Sequence, residues 1–421
     1  MKTIIKFQKT GLWIIIFSMI TLSSIQAQNN DPGYKTYKGK TINKSTGETV
    51  VFASVYKIGT NIGTVSNVEG DFILKIPESL DTGKLGVSFI GYKAYEIEVS
   101  KIKGDFLTAE LEPSPIPIKE VVVRTENASE LIALARKKIP ENYSMVPFMM
   151  TAFYREIIKQ NRSYVGVSEA VLDVYKSSYI NQFDFDRVKV YKGRKSMDVK
   201  RMDTVMFKLQ GGPKTSFLLD IVKNPSGILS EEFTEYYDYR YEGVIEVDER
   251  QTYIISFDQK EDVPYSLYSG KIYLDASNLA ISGVEFKLSE KGLDNAAEDY
   301  VRKRPFNMQV DILGASYLVN YREINGKWYF SNIRSELWIN CKWDKKLFKS
   351  KYVTTLEMAV TNMDFEKVAR FKYNESSGMS DVLADQVNYF DDTDFWGDYN
   401  TIKPEESIET AISKLNKKLV R

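Results

Sequence analysis

Two hydrophobic rhythms divide this chain. Between residues 34 and 124 the apolar runs are short and β-branched, and Gly, Asn or Asp interrupts them every few positions. The runs are Gly39-Lys40-Thr41-Ile42, Ala53-Ser54-Val55, Gly63-Thr64-Val65-Ser66-Asn67-Val68-Glu69-Gly70-Asp71-Phe72, Val87-Ser88-Phe89-Ile90-Gly91-Tyr92 and Glu120-Val121-Val122-Val123. Such punctuation predicts a small antiparallel sandwich, with Gly70 and Gly91 at turns that need positive φ. From Phe148 onward the runs lengthen. Residues 149–159 and 162–175 alternate apolar and polar; 252–258, 271–275, 281–288 and 352–362 read as further strands. Segments 316–324 and 328–338 flank Asn325-Gly326, the strongest hairpin signal present, because both residues accept the left-handed conformation. The pattern predicts a mainly β protein: a Greek-key sandwich, then a larger, curved, half-barrel-like antiparallel sheet with a few helices.

Helical spacing occurs in three places. Asn127 or Ser129 is placed to cap a helix through Leu131, Ile132, Leu134, Ala135 and Ile139, ending before Pro140. Residues 215–222 read as a short helix stopped by Asn224-Pro225-Ser226-Gly227. At the C-terminus, Ile408, Ala411, Ile412, Leu415 and Leu419 line one face, with Glu405, Glu406 and Glu409 at the start and Lys414, Lys417, Lys418 and Arg421 at the end. That charge order favours the helix dipole, and the apolar face predicts packing on the sheet. Residues 1–27 carry Lys2, Lys6 and Lys9, a short apolar core over 12–20 and a small residue, Ala27, before a cut at Gln28. They are expected to be a signal peptide and not part of the fold. The expected organisation is therefore 1–27 signal, 34–124 sandwich, 125–400 antiparallel β domain and 401–421 amphipathic helix.

The order and spacing of the first set of runs resemble the carboxypeptidase regulatory-like domain, a prealbumin-like module at the N-termini of Bacteroidota envelope proteins, including SusC-like TonB-dependent transporters. Where that family usually has an acidic turn residue, this chain has Asn67, which accepts the same conformation. The resemblance implies an exported protein, periplasmic or peripheral at the outer membrane, whose first domain is a compact spacer or docking module. The chain departs from the transporters after the sandwich. It has no glycine-rich plug signature, and fewer than three hundred residues remain, too few for a barrel of that class. Ala152-Phe153-Tyr154-Arg155-Glu156, Gly193-Arg194-Lys195-Ser196 and Phe395-Trp396-Gly397-Asp398-Tyr399 resemble phrases of an uncharacterised envelope family. The step from 270 to 281 is also similar to the half-barrel of periplasmic lipoprotein carriers.

Composition narrows the chemistry. The chain contains no histidine, which removes histidine-based hydrolases and a zinc carboxypeptidase of the usual kind. Carboxylate chemistry survives that filter. Lys plus Arg and Asp plus Glu are equal at 57 each, so nothing points to nucleic acid as a partner. The one cysteine, Cys341, lies on the apolar face of an alternating strand and reads as a small buried hydrophobe.

Three clusters remain. Asp391, Asp392 and Asp394, with Asp398 nearby, are a weak candidate metal site; a solvated acidic loop is the plainer alternative. Asp184 and Asp186 alternate with Phe183 and Phe185, as an acid–base pair or simply as an amphipathic strand. Arg187, Lys189, Lys192, Arg194, Lys195, Lys200 and Arg201 suit phosphate-bearing head groups, but neighbouring aspartates make a mixed-charge exposed loop the better expectation. No cofactor and no catalytic residue is expected. The leading expectation is a non-enzymatic envelope protein that binds an apolar or glycan ligand or a partner protein, without integral membrane insertion. The alternative is a carboxylate-dependent glycan-processing enzyme.

Overall fold

A computed structural model describes residues 33–104, 106–114, 128–181, 184–198, 212–225, 227–247, 250–261, 263–296, 307–344, 348–390 and 395–419. The expected signal peptide, the 120–123 strand, the Asn127 cap and the metal candidates Asp391, Asp392 and Asp394 lie outside these residues.

The first unit is a sandwich of two sheets. One has the order β4 (Asp71–Pro77), β1 (Tyr34–Asn43), β7 (Phe106–Leu111); the other has β3 (Gly63–Val65), β2 (Ser54–Lys57), β5 (Lys84–Ser88), β6 (Tyr95–Glu98). All pairs are antiparallel except β1 with β7. Phe72, Leu74 and Ile76 alternate inward from β4, and Leu107, Ala109 and Leu111 from β7, to meet Val55, Leu85 and Val87. The short runs of the sequence are thus half-buried strands whose second faces stay polar.

The second unit is an eleven-stranded open sheet. Its order is β11 (Tyr237–Val247), β12 (Arg250–Gln259), β13 (Tyr268–Asp275), β14 (Ile281–Leu288), β15 (Met308–Ile324), β16 (Lys327–Trp343), β17 (Ser350–Asp364), β8 (Phe148–Gln160), β9 (Ser163–Lys176), β10 (Arg187–Met197), β18 (Asn388–Tyr389). Pairing is antiparallel throughout, apart from the short β10–β18 ladder. Asn325 and Gly326 turn β15 into β16 with φ of 52° and 79°, as the hairpin signal predicts.

One face of the sheet packs on helices. α1 (Ala128–Lys137), α2 (Ile139–Asn142), α3 (Gly212–Leu218) and α4 (Leu383–Gln386) lie there, with Leu131, Ile132, Phe217 and Leu383 in the core. The crossover after α3 adds Ile221, Val222, Ile228 and Leu229 to the same core, which takes in Val188 near one edge and Tyr237 at the other. Ten strand spacings laid flat would span roughly 50 Å, so an inset touching both ends requires the sheet to curve around it. α1 ends earlier than its apolar spacing predicts. Pro140 sits in the first turn of α2, where its missing N–H costs nothing, and Ile139 belongs to that second helix.

The opposite face carries a row of charges. Arg155 on β8 is fully buried between Glu169 of β9 (2.7 Å) and Glu357 of β17 (3.2 Å). Arg194 of β10 closes on Glu169 at 3.1 Å, and Arg334 of β16 on Glu357 at 3.2 Å. These residues stand directly opposite one another in register, so charge alternates across five adjacent strands.

The C-terminal segment runs over this face along β8. Trp396 covers Phe153, the Ile402 carbonyl accepts from Arg155 Nη2 at 2.6 Å, and Ile408 of α5 (Glu406–Leu419) packs on Ile157. The same segment holds the sandwich. Asn400 bonds both the N–H and the C=O of Lys75, Asn67 donates to the Lys403 carbonyl, Thr64 to the Thr401 carbonyl, and Lys403 pairs with Asp71 at 2.5 Å.

Candidate binding cleft

The sandwich rests on the outer face of the sheet, and the two units do not close completely. Ile90 from the sandwich packs among Ile245, Ile254 and Tyr273. It comes so close to β14 that a Cβ on Gly283 would lie 2.3 Å from its Cδ1; glycine is what the approach requires. Asn61 accepts from Arg322 Nη2 (3.1 Å) and donates to the Met363 carbonyl (3.0 Å). Ser54 accepts from Asn332 (3.3 Å), which in turn accepts from Asn320 (2.8 Å). Between these contacts lies a cleft of about 220 Å³.

Its walls combine three kinds of group. Tyr56, Phe89 and Trp328 present rings; Ser54, Ser88, Thr252 and Ser282 present hydroxyls. Arg250 bridges Asp275 (3.3 Å) and Glu323 (2.8 Å) at the mouth. Arg322 is different. Its guanidinium stacks 5.3 Å from the Tyr56 ring centroid, and no carboxylate pairs with it among the described residues. Burial lowers its pKa to about 10, with only Tyr56 opposing, so it remains a cation at neutral pH. Three buried polar atoms of lining residues have no hydrogen-bond partner among the described residues: Asn320 Oδ1, Arg322 Nε and Trp328 Nε1. Asn320 and Trp328 are 7% and 8% exposed. Native interiors rarely leave such groups unmatched.

The sites read from the sequence fare differently. Asp184 and Asp186 do not act together: Asp184 pairs with Arg370 (2.5 Å), and Asp186 pairs with the buried Lys176 (2.7 Å). Lys176 also binds Asp220 (2.6 Å), whose other oxygen takes the Tyr321 hydroxyl at 2.8 Å. Burial opposes the charge on Lys176, but the two aspartates outweigh it and raise its pKa. This cluster pins the crossover onto the sheet.

From Arg187 to Lys195 the basic stretch is a strand, β10, and not the exposed loop expected of it; Lys200 and Arg201 lie outside the described residues. Its cations lie on rings from the C-terminal third: Lys189 on Phe371 (5.7 Å), Lys192 on Phe395 (4.5 Å), Arg194 on Phe390 (4.1 Å) and Lys195 on Tyr389 (5.1 Å). A larger, open cleft of about 580 Å³ follows this edge, but its cations are already engaged in that way. Cys341 is fully buried, and burial pushes its thiol up to about 11. Among the described residues no three metal-ligating side chains gather, and no helix is long and apolar enough to cross a membrane.

Sequence reasoning missed the junction cleft. Arg322, Asn320 and Trp328 occupy ordinary positions around a recognised hairpin; only the docked sandwich makes them walls of a cleft.

With the geometry in place, comparison with known proteins is informative for the first unit. Residues 37–123 match the CarboxypepD_reg-like domain, so the sandwich is a module of that kind. None of the curated proteins matches the chain. Among solved structures, a putative outer membrane lipoprotein-sorting protein domain from Vibrio parahaemolyticus aligns at 12% identity and TM-score 0.25 over 59% of this chain and 97% of that one. A DUF1329 family protein from Desulfovibrio piger aligns at 13% and 0.25, over 59% and 98%. MucB in complex with MucA(peri) aligns at 10% and 0.18, over 57% and 96%. These likenesses are distant, and the reading below rests on the chain's own residues.

Proposed function

We propose that this chain is a non-enzymatic binding protein of the cell envelope, exported and held in the periplasm or at the periphery of the outer membrane. Its CarboxypepD_reg-like domain and its sheet together form a receptor cleft for a small polar ligand. The observation that carries this reading is the junction cleft itself, where rings, hydroxyls and an arginine with no carboxylate partner among the described residues surround a space of about 220 Å³. Sites of this kind, a concavity with rings and a few convergent polar groups at a domain boundary, are where small molecules bind.

Two other readings fare less well. An apolar ligand within the curve of the sheet competes with Phe217, Ile221, Val222 and Leu229, which already fill that face; a crevice beside α3 holds only about 10 Å³. A glycosidase needs one carboxyl free to carry a proton and a second free to act on the sugar. Here Asp275 and Glu323 share one arginine, and the second oxygen of Asp275 caps the Ser277 and Asn278 amides.

Ser88, half-buried on the sandwich wall, gives the test: Ser88→Trp fills the space with an indole. Thermal shift assays against neutral and acidic mono- and oligosaccharides are expected to find ligands that raise the melting temperature of the wild type and leave Ser88→Trp unmoved. A panel that shifts neither protein, or shifts both equally, contradicts the reading.

A further inference from the structure

The large sheet ends on a strand with one neighbour. β11 pairs only with β12, and the printed bonds of its flanks fix which way its backbone points. The Lys260 N–H donates to the Tyr236 carbonyl at 2.8 Å, so Tyr237, and by alternation Tyr239 and Tyr241, turn their backbone groups away from β12. Glu246 also points outward, and its N–H donates to Ser114 Oγ at 3.0 Å; the Tyr237 N–H closes the preceding turn on Thr234. Between these two closures the N–H and C=O of Tyr239 have no partner among the described residues. We infer that this edge pairs with the same edge of a second copy of the chain, antiparallel about a two-fold axis at Tyr239, which continues the sheet across a dimer.

Charge complementarity selects the occupant and the register. Asp238 and Arg240 flank Tyr239, both are exposed, and neither has an ion-pair partner among the described residues. With the axis at Tyr239, Asp238 stands opposite Arg240 of the second copy, and the same pair recurs on the other side of the axis. These are non-hydrogen-bonded positions, where facing side chains come closest. Tyr237 then stands opposite Tyr241 on the other face. Moving the axis by one residue sets Asp238 or Arg240 against itself. Moving it to Tyr241 sets Tyr239 against Gly243, whose backbone points to β12 because the register shifts between Tyr241 and Gly243. Glu242 falls at the end of the paired stretch, where its carboxylate takes the Ser256 hydroxyl at 2.6 Å.

The composition of the edge agrees. β11 contains no lysine and no proline, the residues that commonly keep an edge strand from pairing, and three of its residues are tyrosines, which favour both strands and interfaces. The opposite edge of the sheet is treated differently. There β18 pairs with β10 at Arg194 and Lys195, and the Ser377 N–H donates to the Val188 carbonyl at 2.7 Å, so the chain caps that edge itself. An unrelated extended peptide would gain the Tyr239 backbone bonds but not the doubled ion pair. A two-fold partner gains each contact twice, which suits so short a stretch.

Sedimentation velocity of the chain over a concentration series reads the association directly, and a dimer that dissociates on dilution is expected. Asp238→Arg sets cations face to face across the axis and Arg240→Asp sets carboxylates face to face; each should raise the dissociation constant by about 10-fold, since two pairs turn from attractive to repulsive. The double variant Asp238→Arg/Arg240→Asp restores opposite charges and should return the dimer to wild-type strength. A wild type that stays monomeric at every concentration overturns the inference. So does a dimer that neither single reversal weakens, or one that the double reversal fails to restore, because its contact then lies elsewhere or in another register. Both side chains are exposed, so the substitutions leave the core of each copy untouched, and the wild-type series needs no variant at all.

Discussion

Glu156 lies on the inner face of β8, where its side chain accepts the Tyr154 hydroxyl at 2.7 Å. A Cβ on Gly212, at the start of α3, would come 1.9 Å from its Oε1, so helix and carboxyl are in tight contact. Burial raises its pKa from the ordinary value of 4.5 to about 7, with the tyrosine bond opposing. The folded protein therefore holds a proton that the unfolded chain releases, and stability falls as pH rises from about 4.5 through 7. The full cost above that window is on the order of 3 kcal/mol. Glu156→Gln, which keeps the shape and never ionises, should unfold at higher urea than the wild type at pH 8. The two should converge near pH 4, and chemical denaturation across that range reads the difference. An unchanged pH slope in the variant would show that Glu156 is not the titrating group. This residue was not legible in the sequence. Its alternation marks an inward position, but only the helix laid over it supplies the burial. Arg155 is a similar case: its partner Glu357 stands 202 residues away, beyond the reach of local pattern.

At the scale of elements, the sequence spoke clearly where local rules suffice. The Asn325-Gly326 turn, the alternating strands over 149–175 and 316–338, and the amphipathic face of α5 all follow from period and turn chemistry. It misled at β10, where cations on both faces read as loop. The rings that satisfy them come from residues nearly two hundred positions downstream. β11 hid its strand in alternating tyrosines and charges, with one face on the core and the other exposed. In the sequence, the segment over 395–408 shows only a phrase resembling an envelope family, at 395–399, and the start of the expected helix. In the fold it clamps the sandwich to the sheet through Asn400, Thr401, Ile402 and Lys403. A protease site inserted between residues 114 and 128 should therefore leave both pieces co-eluting in gel filtration after cleavage. The same cut in a chain lacking residues 395–421 should separate them. Release from the full-length chain in native buffer would show that the clamp does not hold the sandwich.

For the whole molecule, each face of the sheet has a separate purpose. The inner face buries helices and the crossover, which gives the unit a core and leaves little room within its curve. The outer face presents a buried charge ladder and, beside it, a docked CarboxypepD_reg-like domain that leaves one polar, ring-lined gap. A module of this family docked on an open sheet thus leaves a cleft that neither unit has alone. Fold class and the family of the first domain were readable from order and spacing; the cleft was not, because it exists only where two separately patterned surfaces meet. Hydrogen–deuterium exchange of the chain with and without a saccharide that raises its melting temperature tests this most directly. Slower exchange is expected at the amides of 54–56, 88–90 and 320–323, on both sides of the junction, with the β10 edge unchanged. Protection confined to residues 189–193, or none in either region, would contradict a binding cleft between sandwich and sheet.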